Sequence, residues 1–370
     1  MSRTTPFIEA RFFSASEGRI ELDTRFKKHL RKLRCKRLPP EFLAPPDEDD
    51  AACDRADVDP MDIIGISADD AARIQRRVKR ILECRKAASG LEHLKSDDRE
   101  RLEVLKDGAR LISIRNEHHA DELAAALHKD MPWMAPATEV VWHAARRSVR
   151  EGCPGLRVPP LLLQGPPGIS KSFFARRLGE LLSAPTSVIE ATGENASFGI
   201  VGSQRGWGGS CPGRLIETIL QSRIANPVMI VDEVEKAGVA VSMKGQAFGL
   251  AEALLPLLEP LTATRWSCPY YQVKFDMSWV IWVLTSNDYR LLPEPLLSRC
   301  PPIRLRHLTL AELVAFVRRE GKKRALSETA VEAICEVLSH PSLQQHHPSL
   351  RIATRMLQRA ADLEQGPTLH

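Results

Sequence analysis

Residues 161–172 read LLLQGPPGISKS, an apolar run entering a Gly/Pro loop that closes on Lys-Ser. Leu161, Leu162 and Leu163 have the unbroken apolarity of a strand buried on both faces. From Ser172 to Leu182 the apolar residues fall at helical spacing. A strand, a loop of the form G-x-x-x-x-G-K-S/T and a helix in that order form a phosphate-binding Walker A element. It comprises Gly165, Pro166, Pro167, Gly168, Ile169, Ser170, Lys171 and Ser172. The two prolines have no N–H, so the amides facing phosphate must come from Gly168 to Ser172, at the start of the helix. Lys171 is placed to reach the terminal phosphates and Ser172 a magnesium ion. One position departs from the pattern: Ser170 stands where the second glycine belongs. A side chain there implies backbone strain of about 1–3 kcal/mol and weakened nucleotide binding.

The rest of a phosphoryl-transfer site follows in order. In NPVMIVDEVEK, Val228 to Val231 form a second buried strand ending in Asp232 and Glu233, about 60 residues after the loop. Asp232 suits a magnesium ion, and Glu233 suits the orientation and deprotonation of an attacking water. A third apolar strand, Trp279 to Leu284, ends at Thr285-Ser286-Asn287, which puts Asn287 beside the second strand's carboxylates. Pro293 to Arg299 reads as a short helix, followed by a strand near Ile303 to Leu305. The last helix carries Arg351 in its first turn, where an acid is the ordinary choice. Strands alternating with helices predict an α/β fold with a doubly wound parallel sheet, whose strand ends share one ligand crevice.

In this order and spacing, the elements resemble the AAA+ ATPases. The stretches GSQRGWGGSCPGRLIETILQSRIANPVMIVDEVEKAG (202–238), LLPLLEP (254–260) and TSNDYRLLPEPLLSR (285–299) are similar to the ATPase module of the Lon protease family. The resemblance covers about residues 132–365. It implies an ATP-driven ring, expected to be a hexamer, that acts on a protein substrate. Lys171 and Ser172 would serve phosphate and magnesium, Asp232 and Glu233 hydrolysis, Asn287 the first sensor and Arg351 the second sensor. Arg299 would be a finger reaching a neighbouring subunit. Trp207, in RGWGGS, fits a pore loop: glycines on both sides cannot build a core around a Trp, and a mobile aromatic can grip a threaded chain. No Ser-Lys peptidase domain follows in this chain, so peptide-bond hydrolysis is not expected of it, and a separate peptidase is a conceivable partner. Two other readings stand beside remodelling. One is a nucleotide-gated scaffold with little turnover, and the other a DNA-associated AAA+ loader.

Composition bounds the remainder. The chain of 370 residues exceeds the ~250–300 at which single cores stop growing, so two to three domains are expected. The divisions read from the sequence are 1–66 (basic segment and linker), 67–131 (helical), 132–307 (α/β ATPase core) and 308–370 (helical lid). Eight cysteines are scattered without a C-x-x-C pair or metal spacing and read as reduced thiols. No apolar run approaches the ~20 residues of a membrane span and no signal segment opens the chain, which points to the cytoplasm. A net charge of +5 is too small to indicate nucleic acid. The basic cluster in Glu21 to Arg37, followed by a Pro-rich break and the acidic run 47–59, reads as a solvated helix face, because no aromatics interleave with it as a stacking platform requires. Ser67 and Asp70 form a capping pair ahead of a helix with Ile74, Val78, Ile81 and Leu82 on one face. His118-His119 and His346-His347 read as exposed loop pairs rather than metal ligands. Trp266, Tyr270 and Tyr271 read as packing against the sheet.

Overall fold

The structure is a computed structural model that describes residues 4–13, 18–37, 65–193, 196–206, 209–237, 240–241 and 247–366. Trp207 and the segment 38–64, with its Pro-rich break and acidic run, lie outside the described residues. The chain divides into two compact units, Glu9–Arg99 and a larger one made of Met1–Ile8 with Glu100–His370. This division falls between residues 99 and 100, inside the span that the sequence pattern treats as one helical region.

In the smaller unit, α1 (Arg19–Cys35) packs against α2 (Ala68–Ala88), with Leu22 and Val78 buried. Helix α2 starts at a capping box. Ser67 Oγ accepts the Asp70 amide hydrogen at 3.2 Å, and Asp70 Oδ2 accepts that of Ser67 at 3.3 Å.

The larger unit is built on five parallel strands, β1 (Leu161–Gln164), β2 (Thr186–Glu190), β3 (Val228–Asp232), β4 (Ile281–Ser286) and β5 (Pro302–Arg304), in the spatial order β5-β1-β4-β3-β2. The central strands are the apolar ones: β4 is buried at all six positions and β3 at its first four. Thr186 and Glu190 of β2 and Arg304 of β5 are exposed, as suits edges that must not recruit further strands. Chain order and spatial order differ, so the sheet is doubly wound and the carboxyl ends of β1, β3 and β4 lie side by side. Register sets Ser286 opposite Gln164 and Leu284 opposite Val231.

Helices α3 (Glu117–Asp130), α4 (Ala135–Arg150) and α5 (Lys171–Leu182) cover the sheet, and Phe174, Ala175 and Leu178 of α5 are fully buried in its core. Beyond β5, α6 (Leu310–Lys323), α7 (Glu328–Ser339) and α8 (Leu350–Gln365) form the lid. Its first helix is fixed by Arg306, whose guanidinium donates to both oxygens of Glu312 at 2.7 Å, while Glu312 and Thr309 close a capping box. Leu313, Val317, Leu338, Ala353 and Leu357 join the same buried cluster as the sheet.

Strands β1, β3, β4 and β5 begin and end within two residues of the sequence reading, but some details differ. His118 and His119 lie in the first turn of α3, not in a loop: Asn116 caps that turn by accepting the His119 amide hydrogen at 2.8 Å. Trp266 and Tyr271 are buried, as a packing role requires. Thr4–Thr5 pairs antiparallel with Ala109–Arg110, and Phe7 is buried beside Phe275.

Candidate active site

The chemistry gathers where three strands end. Loop 165–170 leaves β1, and Ser170 takes a left-handed conformation (φ 70°, ψ 37°) immediately before α5. That is the backbone for which the missing glycine would be suited. Gly168 is also left-handed (φ 80°), and a Cβ there would lie 2.7 Å from Cβ of Ser349. The loop is held from two sides. Trp133 Nε1 donates to the Ile169 carbonyl at 2.9 Å, and the Leu350 amide, at the start of α8, donates to the Gly168 carbonyl at 3.1 Å.

Lys171 is buried and points into the site. Its Nζ donates to the carbonyls of Gly165 (2.7 Å) and Pro166 (3.0 Å) and to Asn287 Oδ1 (2.9 Å), so the first and third strand ends meet on one ammonium. Burial pushes its pKa down to about 8, against the pull of Glu235, Asp232 and Glu233. Ser172 Oγ donates to Asp232 Oδ1 at 2.7 Å, which joins the loop to β3. Thr285 donates to the same Asp232 oxygen and accepts the Glu233 amide hydrogen at 3.0 Å.

Glu233 is left-handed (φ 54°, ψ 48°), an uncommon state for a residue with a side chain. Its carboxylate is shared between Lys236 Nζ at 2.9 Å and Asn287 Nδ2 at 3.4 Å. Glu235 Oε1 accepts the Asn287 amide hydrogen at 2.9 Å.

These residues line a cleft of about 430 Å³. Its walls include Gly168, Ser170, Lys171, Ser172, Asp232, Glu233 and Asn287 from the core, and Arg351 and Arg355 from the lid. Arg299 does not line it. Its Nη1 donates to the Pro295 carbonyl at 3.0 Å, and its Nε faces Glu259 Oε2 at 3.3 Å. Sequence reasoning missed Thr285, Glu235, Lys236, Trp133 and Arg355. Arg355 had a signal, since it lies four residues after Arg351 on the same helical face. Trp133 had none, because its indole meets the loop only through the folded chain.

The donor set fits magnesium. The Ser172 hydroxyl and the Asp232 carboxylate are hard oxygens already in hydrogen-bond contact, and no His or Cys competes with them in the lining. No group of three or more His, Cys, Asp or Glu side chains arranged to hold a metal by themselves is present among the described residues.

A phosphate loop, an Asp-Glu strand end and a polar third strand end on a 5-1-4-3-2 parallel sheet with a helical lid resemble the arrangement of the P-loop ATPases of the AAA+ class. Residues 161–308 match the family described as "ATPase family associated with various cellular activities (AAA)". Within that class the module resembles the ATPase region of the Lon proteases. It is 31% identical to the Lon protease of Mycoplasma mobile over 55% of this chain and 24% of that protein. It is 32% identical to Lon protease 2 of Thermus thermophilus over 54% of this chain and 25% of that protein. With the peroxisomal Lon protease homolog 2 of Oryza sativa subsp. indica it shares 30% identity over 76% of this chain and 30% of that protein. The chain thus spans 24–30% of the length of these relatives.

Proposed function

We propose that this AAA+ ATPase binds ATP in the cleft and uses its hydrolysis, as a ring, to remodel or unfold a protein substrate. The observation that carries the reading is the convergence of Lys171, Asn287, Ser172 and Asp232 at three adjacent strand ends, opposite two lid arginines. Lys171 exchanges its contacts with Gly165 and Pro166 for the phosphates. Amides from Gly168 to Ser172 add the partial positive charge of a helix start. Ser172 and Asp232 hold magnesium, which when bound neutralises charge on the phosphates. Glu233 accepts a proton from the attacking water, and Asn287, already 3.4 Å from Glu233 Oε1, orients the same water. Arg351 answers the nucleotide from the lid. Arg299 lies outside this cleft and acts in a neighbouring subunit's site. Trp207 contacts the substrate.

The seven described cysteines are free thiols, which fits a reducing compartment, and we assign the cytoplasm. Among the described residues no helix is long and apolar enough to cross a membrane. The Lon relatives are proteases by name, but peptide-bond hydrolysis is not part of the proposal. A second reading, a nucleotide-gated scaffold with low turnover, is favoured by one observation, the left-handed Ser170 in the phosphate loop.

Steady-state hydrolysis and ATP-binding calorimetry with and without an unfolded protein test the reading. Lys171→Ala is expected to lose binding, because it removes a ground-state phosphate contact. Glu233→Gln should bind ATP and lose hydrolysis. Stimulation by the unfolded protein should be present in the wild type and absent in Trp207→Ala, whose basal rate is unchanged. ATP binding with little turnover and no stimulation selects the scaffold, and equal ATP affinity for wild type and Lys171→Ala removes the assignment of the site.

A further inference from the structure

The chain's modest net charge hides a strong segregation. Residues 19–37 and 68–88 hold sixteen Lys and Arg against five Asp and Glu, a net +11 in 40 residues, whereas the whole chain carries +5. The remaining 330 residues are therefore acidic, at −6. Folding brings these two segments together as the α1–α2 pair.

The five acids are already committed. Asp23 pairs with Lys27, Asp70 with Arg34 and Glu83 with Lys79, while Glu21 and Asp69 lie in the first turns of their helices, where backbone amides favour them. Eleven of the sixteen cations are exposed with no carboxylate in ion-pair reach among the described residues. On α1, Arg25, Lys28 and Lys32 follow at i, i+3 and i+7. On α2, Arg73, Arg77 and Arg80 follow at i, i+4 and i+7. Each set is one stripe along a helix. The stripes meet at Phe26, whose ring has the Arg25 guanidinium at 5.9 Å and the Arg77 guanidinium at 5.6 Å. Like charges three and four residues apart weaken both helices, so the arrangement works against this unit's own stability.

We propose that this face of the α1–α2 pair binds the phosphate backbone of nucleic acid, independently of sequence and of the ATPase reading. Three features select that partner. The unpaired charge is dense and of one sign, as the counter-surface to a polyphosphate must be. The guanidiniums on α2 can each take a phosphate in bidentate geometry. Leu22 and Val78 are buried, and the exposed large apolar side chains of the pair, Ile20 and Leu33, lie thirteen residues apart on α1, so they do not form the continuous apolar face that a membrane takes up. Phe26 does interleave with the basic residues, contrary to the sequence reading, but its ring is flanked by two guanidiniums rather than open as a stacking platform, which matches backbone binding and argues against base readout.

The test titrates the full chain against a labelled mixed-sequence DNA duplex by fluorescence anisotropy over a range of salt. Beside the wild type stand Arg73→Glu/Arg77→Glu/Arg80→Glu and the charge-keeping Arg73→Lys/Arg77→Lys/Arg80→Lys. The wild type is expected to bind with log K falling against log salt by about 0.9 for each phosphate neutralised. The Lys variant should keep most of that affinity. The Glu variant should lose tenfold or more, with the slope smaller by about three, and hydrolyse ATP without DNA as the wild type does. Lys28→Glu/Lys32→Glu repeats the test from α1 should α2 melt in the first variant, as circular dichroism will report. The proposal is overturned by absence of duplex binding at low salt, by a slope near zero, or by Glu variants that bind like the wild type. Polyglutamate or anionic vesicles binding more tightly than the duplex would reassign the face to an acidic protein or a membrane.

Discussion

Lys171 concentrates both the cost and the use of the site in one side chain. Its ammonium is buried, and desolvation holds its pKa near 8 rather than its ordinary 10.5. Because the folded value lies below the unfolded one, the unfolded chain binds more protons between about pH 8 and 10.5, and stability contributed by this group rises with pH through that window. Below about 8 both states are protonated and the whole penalty is present, on the order of 1–3 kcal/mol once the open cleft's water is allowed for. The nucleotide-free wild type should therefore gain stability relative to Lys171→Met as pH rises from 8 to 10.5. Chemical denaturation of both proteins at several pH values measures it, and a constant difference would refute the burial penalty. ATP affinity should move the opposite way, falling as pH rises through 8, since the phosphates need the charged form.

At the scale of elements, the turn from β1 into α5 is strained where the sequence departs from its pattern. Ser170 sits at φ 70°, and Gly168, two residues before it, is shielded by Ser349 from carrying any side chain. A left-handed L-residue costs roughly 1–2 kcal/mol, offset in part by the extra freedom glycine has in the unfolded chain. Relief of that strain less glycine's entropy cost leaves Ser170→Gly a gain in stability of up to about 1.5 kcal/mol, with ATP binding tightened severalfold. Calorimetry on the variant decides between strain and an adapted loop: unchanged affinity means that the serine is carried at no expense to the nucleotide.

At the scale of the whole molecule, the start of the chain belongs to the larger unit although about 150 residues separate it from the phosphate loop. Thr4–Thr5 adds a strand to Ala109–Arg110, Asp276 donates its amide hydrogen to the Phe7 carbonyl at 2.9 Å, and the Phe7 ring lies 5.8 Å from that of Phe275. Phe7 is 2% exposed, so Phe7→Ala should lower the module's stability by about 3–5 kcal/mol. Scanning calorimetry would show the larger unit's transition moved down. An unchanged transition would mean that the segment docks without stabilising the module.

What the sequence determined alone is what short-range pattern encodes. Unbroken apolar runs at 161–163, 228–231 and 279–284 can be satisfied only as strands covered on both faces. The residues that end them, Lys171-Ser172, Asp232-Glu233 and Asn287, are thereby fixed at one edge of the sheet. Tertiary structure decided the partners. Lys171 and Asn287 are 116 residues apart, and Glu233 and Thr285 are 52 apart; they touch because β4 lies between β1 and β3, an order no local pattern specifies. The same holds for Trp133 on the loop, for the division after Arg99 and for the basic face around Phe26. A net charge is a sum over the chain, whereas a charged surface depends on which helices pack together.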